Sequence, residues 1–157
     1  MANIHIAFVR KPTARLLLSG AQTCESRLSI RLHPAAGTGP GDGLIFKCGD
    51  GVGLARVSRV ENYTDLLPSD VQALSELYTR EVDGPRPDPE YWASKGRARY
   101  ATFLHLECVE SVHIPSRLLP TTMFAWIQDF APSAEVKAAI QASRQGRLSM
   151  DTPTFGD

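Results

Sequence analysis

Within the eight residues Gly20 to Arg27 stand a primary amide, a carboxylate and a guanidinium: Gln22, Glu25 and Arg27. Residues 24–32 alternate as a strand does, which puts Glu25, Arg27, Ser29 and Arg31 on one face and Cys24, Ser26, Leu28 and Ile30 on the other. Opposite charges two residues apart on a strand pair with each other, and an arginine held by a carboxylate becomes an oriented fork for a phosphate or a base edge. Gln22 adds a donor and an acceptor for the edge of a base. Seen alone, such a pair is a surface salt bridge of small worth. The glycine and the amide beside it are what turn it toward a site.

Other residue types of the same chemistry lie elsewhere in the chain. Arg10 and Lys11 follow the first apolar strand, Lys47 ends another, and Lys95, Arg97 and Arg99 run into Tyr100 and Thr102. Cations interleaved with Tyr91, Trp92 and Tyr100 suit phosphate neutralisation combined with base stacking, although an indole such as Trp92 more commonly packs on a core. The candidate binding residues on these grounds are Gln22, Glu25, Arg27, Lys47, Lys95, Arg99, Tyr100 and Thr102, while Arg10 and Lys11, at a strand end, can equally extend into solvent. Lys47, Glu25 and Tyr100 are the candidates for proton transfer.

Several chemistries are poorly supported. His5, His33, His105 and His113 are scattered singly, and Cys24, Cys48 and Cys108 form no Cys-x-x-Cys pair, so no metal site, disulfide framework or cofactor is expected. The Gly-rich run from Leu32 to Gly43 lacks the Gly-Lys-Ser/Thr ending of a P-loop, although its glycines leave backbone amides able to approach a phosphate. No Gly-x-Ser-x-Gly elbow is present.

The elements that must position these groups are legible in outline. Ile4, Ile6 and Phe8 mark a strand ended by Pro12, and residues 13–19 a short helix that Gly20 can close. Leu44–Cys48 and Val52–Val60 form a hairpin across Gly49, Asp50 and Gly51, with Phe46 directed to the core and Lys47 to the site. A helix starts at Pro68, with Ser69 and Gln72 as a capping box and Val71, Leu74, Leu77 and Tyr78 as its apolar stripe. Three prolines between 85 and 89 break the chain, after which Asp88 caps a short helix opened by Pro89. A long strand covers 100–114 and a short one lies within 123–129, where Trp126 covers the core or edges the pocket. A last helix starts at Ser133, and residues 146–157 are expected to fray.

The order of these pieces resembles a known family. Gly20, Gln22, Glu25 and Arg27, then Gly41 to Phe46 some fifteen residues on, are similar to the Gly-x-Lys-x-x-Glu-x-Arg and Gly-Asp-x-Leu-x-Phe patterns of the ASCH domain, the activating signal cointegrator homology branch of the PUA-like barrels. The opening Ile4–Pro12, the strand 52–60 and the blocks 91–95 and 99–103 extend the resemblance over residues 3–128. It implies an α+β fold, a PUA-like mixed β-barrel with short helices packed around it, occupying 1–130 and followed by a C-terminal helix and tail at 131–157. It also implies that the exit of the first strand lies beside the pocket, which adds Arg10 and Lys11 to the candidate binding residues, and RNA or a modified nucleoside as partner, with an RNA-directed hydrolase as the alternative. Relatives of this fold include ribonucleases and N4-acetylcytidine amidohydrolases, whose branch has lysine and threonine where this chain has Gln22 and Glu25. A neutral amide cannot serve as an activated amine, so that mechanism would need Lys47 or Lys95 instead.

Composition sets the remaining bounds. The 157 residues, 43% of them hydrophobic and 22% charged, suit one soluble domain, with no apolar run of membrane length and no leader pattern, hence an expected cytoplasmic location. The formal charge of zero hides a division. Residues 1–60 carry eight Lys and Arg against three Asp and Glu, whereas 61–92 carry two against eight. The basic half, which holds the motif, is expected to face an anion, with the acidic stretch elsewhere.

Overall fold

The computed structural model describes residues 2–49 and 51–148, with the side chains of 147 and 148 excepted. Its centre is one six-stranded sheet made of β1 (Ile4–Phe8), β2 (Cys24–Ser29), β3 (Gly43–Cys48), β4 (Gly51–Tyr63), β5 (Tyr100–Val112) and β6 (Trp126–Ile127). The spatial order is β2-β5-β4-β3-β1-β6, so β2 and β6 are the two edges. Among the described residues, only the β1–β3 pairing is parallel. Four helices surround the sheet: α1 (Lys11–Ser19), α2 (Pro68–Asp83), α3 (Pro89–Ser94) and α4 (Ala134–Leu148). The architecture is α+β with a barrel-like core, a half-barrel whose two edges curl toward each other.

The curl has a local origin. The β4–β5 register shifts between Leu54 and Arg56 and again between Val57 and Arg59, and Cys108, facing the first shift, adopts φ 53°. Each bulge bends and twists the long pair. Curvature also needs close packing inside, and Gly53 supplies it: a Cβ there would lie 2.1 Å from the Phe46 ring.

Three apolar clusters hold the layers together. Inside the curl, Ala14 and Leu17 of α1 pack with Leu44, Phe46, Val57, Leu104 and Trp126. On the outer face of β2 and β5, the helices α2 and α3 bring Val71, Leu74, Tyr78 and Trp92 onto Leu28 and Phe103. Val136 of α4 is buried against Ile6, Ile45, Val52 and Val112. The parity of β3 turns Phe46 inward with Leu44, and Lys47 outward with Ile45.

Most elements fall where the sequence places them. Gly20 closes α1 at φ 80°, its amide donating to the Leu17 carbonyl, and the Asp88 carboxylate caps α3 through the Tyr91 amide. The start of α2 differs from expectation: Pro68 takes the first position, and Asp70, rather than Gln72, reaches back to the Leu67 amide at 2.7 Å. Leu77, expected in the stripe, is exposed, and Tyr78 fills the buried position beside it. The Gly-rich loop includes a single 3-10 turn at Pro34–Gly37 and wraps its own anion, since the Gly39 and Asn3 amides both donate to the Asp42 carboxylate. His5 secures the same corner: its Nδ1 accepts from the Asp129 amide, so its Nε2 is the nitrogen that donates to Asp42, at 2.8 Å. The expected turn residue Asp50 lies outside the described residues. Helix α4 continues to Leu148, and the expected fraying beyond it also falls outside them. Among the described residues, no helix is long and apolar enough to cross a membrane.

Candidate ligand cavity at the open seam

Because the sheet does not close, a seam remains between β2 and the chain entering β6, and α1 lies beside it. A cavity of about 1050 Å³ occupies this seam. Its wall comes from the exit of β1 (Phe8, Val9, Arg10), α1 (Arg15, Leu16), the motif (Gln22 and residues 25–29), His33, the α2–α3 connection and Ala125.

Arg27 is the bridge across the seam. Its Nη2 lies 3.0 Å from Glu25 Oε1, its Nη1 donates to the Ala125 carbonyl at 3.4 Å, and its guanidinium sits 5.5 Å from the centre of the Trp126 ring. Its Nε is buried and has no hydrogen-bond partner among the described residues. The sequence expectation of a pair on one strand face is therefore met, but the fork is used inside the protein. Glu25 is buried, and burial pushes its carboxyl above the usual carboxylate range although Arg27 opposes the shift. Gln22 is buried as well; its Nε2 donates to the Cys24 carbonyl at 2.9 Å, which among the described residues leaves Oε1 as its uncommitted acceptor.

The opposite wall carries polar groups of different character. Tyr91 and Ser26 share a 2.7 Å hydrogen bond between their hydroxyls, and burial pushes the Tyr91 phenol up to about 12. Lys95 sits 5.6 Å over the Tyr91 ring, and burial together with Arg27 lowers its pKa. His33 meets Trp126 edge-on and accepts the Ala35 amide at Nδ1; burial, then Arg27 and Lys95, bring its pKa down to about 4, so it is neutral at pH 7.

Four further cations, Arg10, Arg15, Arg86 and Lys95, line the cavity, and among the described residues none of them pairs with a carboxylate. Of the carboxylates on the wall, Asp83 and Asp88 are occupied by internal donors, while Glu90 stands at the rim.

Of the residues singled out from sequence, Arg10, Gln22, Glu25, Arg27 and Lys95 meet in the cavity, whereas Lys11, Lys47, Arg99, Tyr100 and Thr102 do not line it. Lys11 is the exposed first residue of α1, and Lys47 is turned to the outer face by strand parity. Thr102 is buried beside Arg27 in the β2–β5 register, but its hydroxyl donates to Asn62. Tyr100 pairs with Ser29 two positions further along, and the Arg99 amide donates to the Ser29 carbonyl. Of the two roles offered to Trp126, the structure gives it the core: it packs there and does not line the cavity, although its ring lies under Arg27. Arg15, His33, Arg86 and Tyr91 belong to the cavity without having been singled out as site residues. Nor is the acidic stretch elsewhere: residues 82–91 build one wall.

A half-barrel of this order, with its motif strand at the open edge, defines a class: the fold is that of the ASCH domain. The particular likeness is to the ASCH protein of Zymomonas mobilis. Its serine-to-alanine variant superimposes with a TM-score of 0.64, covering 89% of this chain and 95% of that one at 14% identity. The crystal structure titled simply ASCH and a tyrosine-to-phenylalanine variant each give 0.63 at 14% identity, covering 89% of this chain and 94% and 97% of theirs. At that identity the likeness is one of fold. No protein-family model matches the chain, and neither does any curated protein.

Proposed function

We propose that the chain binds single-stranded RNA or a modified nucleoside in the seam cavity. The observation that carries this reading is the set of four unpaired cations on a wall whose floor presents Gln22, Glu25 and Arg27. With one N–H of each η nitrogen of Arg27 engaged inside the protein, the floor offers single hydrogen-bonding groups to a planar base edge. Phosphate then belongs to Arg10, Arg15, Arg86 and Lys95, and Tyr91 is the aromatic on that wall. Filter binding to short RNAs tests the division of labour. An Arg86→Ala/Lys95→Ala variant should lose at least about tenfold in affinity, in line with two lost phosphate contacts. Equal retention of this variant and the wild type overturns the proposal.

One observation favours a second reading, an RNA-directed hydrolase. Glu25 holds its proton above the ordinary carboxylate range and stands in the cavity, as a general acid must, and Lys95 is the cavity amine of lowered pKa. Incubating the same preparations with labelled RNA, with and without EDTA, separates the readings. Cleavage lost in Glu25→Gln supports hydrolysis, and intact RNA leaves binding alone.

A further inference from the structure

Six large apolar side chains are exposed in the described structure: Ile30, Leu32, Leu67, Leu77, Met123 and Phe124. Leu67 and Leu77 belong to α2 and its cap. The other four stand on two segments that flank the cavity mouth. Ile30 follows Ser29, Leu32 precedes His33, and Phe124 precedes Ala125, and all three of those neighbours line the cavity. The segments are tied together at the mouth, since Arg27 donates to the Ala125 carbonyl and His33 meets Trp126 edge-on at 5.8 Å. Met123 is 92% exposed, Phe124 70%, Ile30 65% and Leu32 64%. Exposed apolar groups scattered singly need no explanation, but four on two segments that are joined beside one cavity mark a contact surface.

We propose that this rim is a second subsite, a platform for the base next to the one held in the cavity, so that the natural ligand is an oligonucleotide rather than a free nucleoside. The inference rests on the nucleic-acid reading of the cavity. Two features select this occupant. The platform is continuous with the cavity through Ser29, His33 and Ala125, so a strand leaving the cavity runs directly onto it. It also has cations close by: exposed Arg31 lies between Ile30 and Leu32 in the chain, while Arg10 and Lys95 lie on the cavity wall. Apolar faces beside positive charges match the stacked bases and phosphates of a single strand. A second copy of the chain fits less well, because a two-fold contact through this rim sets the same cations against one another.

The test compares adenosine 5′-monophosphate, uridine 5′-monophosphate and the oligonucleotides of two, three and eight residues made from each, titrated into wild type, Phe124→Ala and Met123→Ser/Phe124→Ser. These side chains are largely in water, so the variants should keep the wild-type melting temperature. Wild type should bind the trinucleotide more tightly than the monophosphate. The variants should lose roughly five- to 150-fold of trinucleotide affinity, the contribution of one stacked base, while binding the monophosphate as wild type does. An equal gain with length in wild type and variants overturns the platform but leaves the cavity reading intact. Failure of every nucleotide to bind the wild type overturns both. A wild-type dimer in sedimentation that the variants convert to monomer assigns the rim to self-association and overturns the platform.

Discussion

Glu25 is the residue whose environment and task are hardest to reconcile by packing alone. A carboxyl placed in the interior and left beside a single guanidinium keeps more of its proton than it would in water, because removal from solvent outweighs the attraction of Arg27. The sign of its effect on stability follows. Between the ordinary carboxylate pKa and its raised value, the folded protein holds a proton that the unfolded chain has released, so this group's contribution falls as pH rises through that window. Other carboxylates work in the opposite sense, Glu61 being held low by hydrogen bonds from Tyr78 and His105 and by the nearby Arg59 charge, with burial opposing. Wild type must therefore be compared with Glu25→Gln, which keeps an acceptor for Arg27 and cannot ionise. The melting temperature of the variant relative to wild type should climb as pH is raised from about 4 toward neutrality. A difference that stays flat with pH would show that Glu25 ionises as a solvent-exposed carboxylate does.

At the scale of elements, the cavity depends on how α3 is tied to the end of α2. Asp83, the last residue of α2, accepts from Trp92 Nε1 at 3.0 Å, from the Thr79 hydroxyl at 2.7 Å and from the Asp88 amide at 3.0 Å. Truncation to alanine leaves the buried indole N–H and the Asp88 amide without partners, at an expected cost of about 2–3 kcal/mol in urea unfolding. Because α3 carries Tyr91 and delivers Lys95, the same variant should weaken ligand binding beyond its loss of stability; a change under about 0.5 kcal/mol, typical of a surface site, would remove Asp83 from this role. Local chemistry made parts of this arrangement readable from sequence. The Asp88-Pro89 start of α3 and the Gly20 end of α1 each use a residue type with one strong conformational preference. At the start of α2 the sequence pattern places Ser69 and Gln72 as a capping box, but the fixed φ of proline suits Pro68 to the first helical position, which leaves Asp70 to reach back to the Leu67 amide. For Lys47, alternation correctly separated it from Phe46, but one strand's period does not say which face the cavity occupies.

At the scale of the whole molecule, the site is a product of strand order. Arg15, His33, Arg86 and Tyr91 come from a helix, a loop, a proline-rich connection and another helix, and only the closing of β2 toward β6 brings them to one seam. No window of sequence contains that information, which is why the motif strand was legible and the opposite wall, Lys95 apart, was not. Charge behaves in the same way: the chain has a formal charge of zero, and its acidic stretch supplies part of the cavity wall, yet the carboxylates there are partly engaged with internal donors while four cations are not. Binding should therefore respond to salt as a small local cluster does. If all four cations meet phosphates, the logarithm of RNA affinity should fall against the logarithm of salt with a slope of about −3, since each contact contributes about −0.7 for a single strand. Removing Arg86 and Lys95 should make that slope shallower by about 1.4. An Arg56→Ala/Arg59→Ala control, whose cations already pair with Glu107 and Glu61 away from the cavity, should leave it unchanged. If both double variants flatten the slope alike, the attraction comes from the protein's general surface charge and the seam holds no phosphate.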